Sequence, residues 1–328
     1  MTFIYNNVYI NETSLIAGPY EKKGPLGNTY DKKYDDLYFG EKTWEQAEIK
    51  ILEESVSLLL TKINKNKKDI DLHISGDLLN QIVATNYASA KIGIPLLGLY
   101  SACATSVENI IVGANMIEAG QIKNCICSVS SHNNSAEKQF RYPIEYGGMK
   151  PKVATFTTTG GTSSYLSGSK NGIRVESGTV GTVSELGITD PYHMGAIMAP
   201  SAGDVINKHL TDTKRTVDYY DLILTGDLGK YGSKILIDYM KTTYGINLKN
   251  HNDAGLMIYN LKSQPVYAGG GGIACITLVT YGHIFKLMKK GELKKVLLVA
   301  TGALLSSTMA LQKLGIPSIS HALSLEVI

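Results

Sequence analysis

The sequence predicts an α/β protein that is built from two similar halves. Residues 71–78 (DLHISGDL) recur as residues 221–228 (DLILTGDL), and each copy is typical of a short buried strand that ends in a Gly-Asp turn. A second echo follows each copy, because ACAT at residues 102–105 is matched by ACIT at residues 274–277. The same elements in the same order twice indicate a duplicated α/β unit.

The segments that follow these two motifs also agree with each other. Apolar residues recur at helical spacing after each motif, and each predicted helix ends at a glycine, Gly120 or Gly291. Apolar strands are predicted next, at residues 125–129 and 296–300. Each half therefore contains the order strand, turn, helix and strand.

Further signals set the limits of the two halves. Thr43 begins a sequence with capping-box spacing, which predicts a helix start. Residues 173–180 are predicted to form the first strand of the second half. The stretch 167–172 is rich in turn residues, so we expect the halves to be residues 1–168 and 169–328.

Composition restricts the class of protein. The chain has 328 residues, of which 44% are hydrophobic and 19% charged, as in globular proteins. A formal net charge of +3 is small for this length and favours no nucleic-acid partner. The N-terminus does not have the pattern of a signal peptide, and no run of about 20 apolar residues predicts a transmembrane segment. We therefore expect any membrane association to be peripheral or through partners.

The four cysteines do not predict a disulfide framework or a zinc site. Cys125 and Cys127 fit the alternation of a buried strand, and a reducing compartment agrees with this reading. No structural metal ion is expected.

Cys103 is the candidate for chemistry, because it lies between an apolar strand and a long predicted helix. Amide groups at a helix start favour an anion, so they could lower the pKa of a thiol, stabilise an oxyanion or bind a carboxylate ligand. The alternative is a small buried residue at a tight junction, and Cys275 shows that the position recurs without obvious chemistry. The glycine run 269–272 permits close backbone approach to a ligand or to the other half, although a tight turn also explains it.

Together the duplicated unit, the SACAT element at residues 101–105 and the glycine run resemble the thiolase superfamily. The resemblance implies two βαβαβαββ halves in a five-layered αβαβα sandwich, with Cys103 at the position of the nucleophile. Such enzymes also need a histidine after an early strand of the second half, where this chain has Asp227. Asn252 is a plausible match for a second polar residue. A carboxylate near a thiol raises its pKa, so a non-catalytic site is expected.

Longer segments resemble a narrower family, that of the stage V sporulation protein AD of spore-forming bacteria. These segments span nearly the whole chain and include residues 17–19, 24–27, 76–81, 130–133, 139–143, 145–148, 251–253 and 300–306. The resemblance implies binding of dipicolinic acid, possibly as its calcium chelate, for transport into the developing spore. It also implies a peripheral location at the inner spore membrane, with the membrane-embedded subunits of the SpoVA complex as partners. Thiolase-like proteins commonly pair, so a homodimer is possible.

Dipicolinic acid is a flat pyridine with two carboxylates, so its site needs donors for two anionic groups and apolar faces for the ring. The helix start at Cys103 is expected to bind one carboxylate. Arg141, in an aromatic setting with Phe140 and Tyr142, is expected to hold the other. His132, Asn80 and Asn252 are candidates for further hydrogen bonds. As alternatives, Arg141 pairs with Glu137 or Glu145, and His132 bonds only to the nearby backbone.

If calcium enters with the acid, Asp77, Asp227 or Glu145 could supply oxygen ligands, although the two aspartates could also simply cap helices. Two other functions remain open at this point. One is an acyl-transfer enzyme that uses Cys103 on a coenzyme A thioester, and the other is a purely structural subunit of the membrane complex.

Overall fold

The computed structural model describes residues 1–141 and 150–327. The strands within these residues are β1 (Thr2–Ile4), β2 (Tyr9–Ala17), β3 (Lys32–Lys33), β4 (Leu72–Gly76), β5 (Leu96–Gly98), β6 (Asn124–Ser131), β7 (Phe156–Thr157), β8 (Gly160–Ser167), β9 (Ile173–Val180), β10 (Leu222–Thr225), β11 (His251–Asp253), β12 (Gly270–Gly271), β13 (Lys295–Ala303) and β14 (Ser318–Glu326). The helices are α1 (Pro19–Lys22), α2 (Trp44–Lys62), α3 (Val83–Ile92), α4 (Thr105–Glu118), α5 (Asn133–Phe140), α6 (Met194–Thr213), α7 (Gly229–Tyr244), α8 (Ala254–Met257), α9 (Ile273–Val279), α10 (Phe285–Lys289) and α11 (Ser307–Leu311).

The order of the strands shows the duplication directly. Hydrogen bonds connect ten of the strands in the order β11-β10-β13-β14-β9-β2-β8-β6-β4-β5. The outer five on each side correspond, since β5-β4-β6-β8-β2 has the same connectivity as β11-β10-β13-β14-β9. The two sets meet where β2 and β9 pair antiparallel, at Tyr9 with Arg174 and Ile10 with Ile173. The predicted fold class, a duplicated thiolase-like α/β fold, is confirmed.

Helices cover and separate the two sets of strands. The pair α2 and α3 packs on the first set, and α6 packs with α7 on the second. Between them, α4 contacts β4 and β6 of the first set and β13 and β14 of the second, while α9 contacts α4, β6 and β8. This arrangement gives the five layers αβαβα, with one hydrophobic core that contains residues of both halves.

The repeated aspartate at the start of each copy has a structural role. Asp71 Oδ2 accepts hydrogen bonds from the backbone N–H groups of Lys123 (2.7 Å) and Asn124 (3.3 Å). In the same way, Asp221 Oδ2 accepts from the N–H groups of Lys294 (2.7 Å) and Lys295 (2.9 Å). Each carboxylate thus fixes the loop that enters the neighbouring parallel strand, which explains why the residue occurs in both copies.

Several local predictions are confirmed. The side chain of Thr43 accepts a hydrogen bond from the backbone of Gln46 at 3.2 Å and caps α2. Gly120 and Gly291 have φ values of 69° and 76°, which suit the residue that follows a helix. The sulfur atoms of Cys125 and Cys127 lie 3.9 Å apart on one face of β6. Strand β9 has the predicted limits.

Two features differ from the sequence-based expectation. The predicted second central helix is not one regular α-helix, because a π-helical stretch, Thr280–Ile284, lies between α9 and α10. In addition, β1 pairs with β9, so the first residues of the chain hydrogen-bond to the second half.

Strand β8 ends at Ser167 and β9 begins at Ile173, and the division at residue 168 stays a prediction. Among the described residues, no helix combines the length and apolar character needed to span a bilayer.

The two Gly-Asp turns predict a difference in stability between matched substitutions. A Cβ on Gly76 would lie 2.3 Å from the carbonyl oxygen of Leu99 and 2.7 Å from a methyl group of Thr105. For a Cβ on Gly226, the nearest neighbour in the described part of the chain would be the Cβ of Ile276, at 3.5 Å. We expect Gly76→Ala to lower the free energy of unfolding by about 1–3 kcal/mol, as overpacking does. Gly226→Ala is the control and should change it by less than about 0.5 kcal/mol. Urea unfolding measures both, and equal effects would contradict the packing argument.

Candidate functional site

The candidate site is a narrow pocket where the two halves meet. Its free volume, including the solvent-open mouth, is about 510 Å³, and the centres of water molecules fit into only about 40 Å³ of it. This shape is a slot rather than an open chamber. The lining residues are Leu78, Tyr100, Ala102, Cys103, Ala136, Glu137, Phe140, Arg141, Thr155, Thr157, Met194, Asp227, Gly272, Ala303 and Leu305.

A sharp turn before α4 places Cys103 in this pocket. Ala102 has a φ of 50°, which is rare for a residue with a side chain. The turn is held by the hydroxyl of Thr105, which accepts a hydrogen bond from the backbone of Ser101 at 2.6 Å. Cys103 lies two residues before the first residue of α4, so the predicted position at a helix start is confirmed within one turn.

The electrostatic environment of Cys103 is that of a neutral thiol. Burial raises the pKa of the thiol well above its usual value, and the charge of Asp227 raises it further. The backbone N–H of Gly272 acts in the opposite direction but is a weaker influence. The Asp227 carboxyl group therefore lies close enough to Cys103 to stabilise the protonated thiol. The lowered thiol pKa that a helix start permits is therefore not what this pocket produces.

Asp227 reaches Cys103 from the end of β10. Its carboxyl group also accepts hydrogen bonds from the Thr301 hydroxyl and the Gly272 N–H. Burial raises the pKa of Asp227 to about 7, against the effect of these donors, and the nearby Asp253 contributes in the same direction. Burial therefore favours the neutral form of this carboxyl group much more than in water.

Asp253 holds the segment that carries Asp227 in place. Its carboxylate accepts from the backbone N–H groups of Leu228 (3.0 Å), Gly229 (2.9 Å) and Gly255 (3.0 Å). It also accepts from the hydroxyl of Thr225 at 2.6 Å. Burial raises the pKa of Asp253 to about 6 despite these donors. The residue fixes the segment after β10 and thereby the position of Asp227.

A buried ion group forms the opposite wall. Arg141 Nη1 donates to Glu137 Oε1 at 3.0 Å and to the carbonyl of Thr155 at 3.2 Å. Lys150 Nζ lies 3.3 Å from the same Glu137 oxygen, and burial lowers the pKa of its ammonium group. Thr157 donates to this oxygen at 3.3 Å. Within the described residues, this group therefore contains two cations and one carboxylate.

The structure brings Cys103, Arg141 and Asp227 together, but it does not bring in the other candidates. His132 Nε2 bonds to the carbonyl of Leu37 at 2.7 Å, and its Nδ1 accepts from Asn134 at the start of α5. Burial lowers the pKa of His132 to about 4, so it is neutral and serves the helix cap. These contacts correspond to the backbone alternative that the sequence left open.

The two asparagines also lie elsewhere. Asn80 is exposed in a neighbouring depression that shares Tyr100 and Leu305 with the pocket. Asn252 is exposed as well, and its side-chain oxygen accepts the backbone N–H of Asp253 at 2.8 Å.

Of the residues considered for calcium, Asp77 has the contacts of a helix cap. Both carboxylate oxygens of Asp77 accept backbone N–H groups, from Leu79 and Thr85, as in the capping alternative. No cluster of three or more metal-ligating side chains occurs in residues 1–141 and 150–327. Glu145 and Tyr142 lie outside the described residues.

Sequence reasoning missed part of the pocket. Glu137 was considered only as an alternative partner of Arg141, and Lys150 was not considered. The i, i+4 spacing of Glu137 and Arg141 on a helix could have indicated their pairing. No sequence signal indicated Lys150, because its contact depends on how the chain returns after residue 141.

Comparison with known proteins agrees with this architecture. The model of the family described as stage V sporulation protein AD (SpoVAD) matches residues 1–326. The stage V sporulation protein AD of Bacillus subtilis (strain 168) is 48% identical over 327 residues, which are 99% of this chain and 96% of that protein.

Solved structures of OleA from Xanthomonas campestris, a thiolase-like enzyme, show the same fold. A co-crystal with cerulenin has a TM-score of 0.61 at 14% identity and covers 99% of this chain and 98% of that one. A variant bound with cerulenin has a TM-score of 0.60 at 14% identity, with the same coverage. Since the family match extends over nearly the whole sequence, this chain belongs to the stage V sporulation protein AD family.

Proposed function

We propose that this chain binds dipicolinic acid in the pocket beside Cys103, as a step in the transport of the acid into the developing spore. The observation that carries the proposal is the combination of a narrow apolar slot with a buried arginine in a member of this family. Arg141 is 7% exposed and lines the slot, so its charge acts in a medium of low polarity. A carboxylate that enters the slot meets this guanidinium group.

The shape and lining of the slot suit a flat aromatic acid. Leu78, Phe140 and Met194 provide apolar surface for a ring, and Tyr100 lies at the same wall. Aromatic and apolar side chains with few polar groups are typical of sites for small cyclic ligands. The hydroxyl group of Thr155 is an additional candidate for a hydrogen bond to a carboxylate.

We infer that the pocket does not carry out condensing chemistry. A nucleophilic thiol needs a base or a lowered pKa, whereas burial and the charge of Asp227 raise the pKa of the Cys103 thiol. Both the burial of the thiol and the neighbouring carboxyl group favour the uncharged form of Cys103. Cys103, which lies at the position of the nucleophile in the resemblance to thiolases, is then part of a ligand pocket.

The partners proposed for this chain follow from its family alone. We propose that it acts at the inner spore membrane with the membrane-embedded subunits of the SpoVA complex. A homodimer is a further proposal, and β5 at the edge of the sheet, with Leu97 37% exposed, is a candidate surface for it.

Titration calorimetry with dipicolinic acid, with and without calcium, tests the proposal. We expect saturable binding by the unmodified chain. Arg141→Gln should weaken binding about 10- to 100-fold, because a hydrogen bond to a charged group contributes about 1.5–3 kcal/mol.

Arg215→Gln is the matched control, because Arg215 also pairs with a buried carboxylate, Glu176, but outside the pocket. It should leave the dissociation constant unchanged. Absence of binding by the folded, unmodified chain would refute dipicolinic acid as the ligand and favour the role of a purely structural subunit.

Binding is also expected to depend on pH through Asp227. Its pKa of about 7 means that the carboxyl group is neutral below pH 7 and negative above it. Because a negative group repels a dianion, the dissociation constant should rise about 10-fold between pH 6 and pH 8. Asp227→Asn should flatten this profile, with thermal unfolding as the check that the variant is folded. An unchanged slope in the variant would contradict the role of Asp227.

The reactivity of Cys103 separates a binding protein from an acyl-transfer enzyme. We expect slow alkylation by iodoacetamide at pH 8, and no acyl adduct from a coenzyme A thioester. Asp227→Asn should accelerate alkylation, because it removes a charge that raises the pKa of the thiol. Mass spectrometry locates the adduct, and Cys103→Ala is the control. Rapid acylation of Cys103 would overturn the non-catalytic proposal.

A further inference from the structure

Glu137 has an unusual distribution of contacts. One carboxylate oxygen, Oε1, is approached by Arg141 at 3.0 Å, by Lys150 at 3.3 Å and by the hydroxyl of Thr157 at 3.3 Å. The other oxygen, Oε2, is buried and has no hydrogen-bond partner within residues 1–141 and 150–327. The side chain is only 2% exposed and lines the pocket. The carboxylate is therefore incompletely satisfied at the place where a ligand would enter.

Some hydrogen-bond donors of the two cations, Arg141 and Lys150, also have no partner among the described residues. Among the described residues, Arg141 uses a single nitrogen, Nη1, for its contacts with Glu137 and Thr155. Lys150 Nζ is buried and, in the same part of the chain, makes no hydrogen bond of good geometry, although it is close to Glu137. An ammonium group has three donors and a guanidinium group five. Within the described residues, donors of both side chains are therefore left over, and Arg141 lines the pocket.

A second buried pair in the chain shows what a fully formed ion pair looks like. Arg215 Nη1 and Nη2 each donate at 2.7 Å to different oxygens of Glu176. Ser177 also donates to Glu176 at 2.8 Å. This bidentate pair uses both carboxylate oxygens, as is usual for strong arginine–carboxylate pairs. The Glu137 group differs because its geometry leaves one oxygen unused.

We propose that Glu137 is an internal counter-ion that competes with an anionic ligand for the positive charge of Arg141 and Lys150. Without ligand, Glu137 compensates two buried cations that would otherwise be costly. When a carboxylate of the ligand enters beside Arg141, it shares the positive charge of the two cations with Glu137, and the repulsion between the two carboxylates limits the affinity. This inference rests on the proposed function, since it assigns Glu137 the regulation of binding in the same pocket.

The counter-ion role predicts opposite effects on stability and on affinity. Glu137→Gln keeps the size of the side chain and removes its charge. The empty protein should then be less stable, because two buried cations lose their carboxylate. Affinity for an anion should increase, because the ligand no longer competes with a fixed negative charge. A merely structural residue would lose stability and affinity together.

The test is titration of the full chain with dipicolinic acid at constant ionic strength, combined with thermal unfolding of the ligand-free protein. We expect Glu137→Gln to bind about 10-fold more tightly than the unmodified chain and to unfold at a lower temperature. Glu176→Gln is the matched control, which should unfold at a lower temperature without a change in affinity. Lys150→Gln should bind about 10-fold more weakly and serves as a second variant if Glu137→Gln does not fold.

The possible outcomes separate the two proposals. Binding by the unmodified chain with equal or weaker binding by Glu137→Gln overturns the counter-ion role and leaves the proposed function intact. Unchanged binding by Lys150→Gln also overturns it. If neither the unmodified chain nor Glu137→Gln binds, the proposed function fails, and the counter-ion role fails with it.

Discussion

The burial of α4 and α9 between the two sets of strands is the constraint on which the rest of the structure depends. Val107 and Ile110 of α4 and Ala274 and Leu278 of α9 are all at most 2% exposed. A helix that is apolar on nearly all sides needs a layer on each face, so both halves have to close over this pair. Closure brings the starts of the two helices together, and the N–H of Gly272 then reaches Cys103. The pocket is a consequence of how the core is filled.

Much of the fold follows from periodicity and turn chemistry in the sequence. The limits of β9, the cap at Thr43 and the glycines after α4 and α10 depend on local preferences that a sequence expresses directly. The duplication was visible because each copy needs the same aspartate to fix the same loop. The π-helical stretch was not visible, since residues at its apolar positions also fit a regular α-helix. The pairing of β1 with β9 depends on contacts between residues more than 170 positions apart, which local patterns do not encode.

The site was predicted only where the backbone alone decides the direction of a side chain. Cys103 and Asp227 follow strands whose ends meet at the interface between the halves, so their proximity was expected from topology. Asn252 was not distinguished from Asp253, because neighbouring residues of a strand point to opposite sides and the phase of β11 was unknown. The two residues differ fully in exposure, because Asn252 is exposed and Asp253 is fully buried. His132 was misleading because a histidine that caps a helix has the same sequence signature as one that binds a ligand.

The carboxyl groups of Glu137 and Asp227 are compatible with a pocket for an anion because each is neutralised differently. Burial raises the pKa of Asp227 to about 7, which favours its neutral form, whereas two cations lie beside the carboxyl group of Glu137. Arginine and lysine without these acids would hold a dianion far more strongly, and buried cations without a counter-ion would destabilise the empty protein. A protein that delivers its ligand to another molecule has to release it. Under the proposed function, partial compensation of charge would give a pocket that is stable when empty and attractive to an anion, yet limited in affinity, as transport requires.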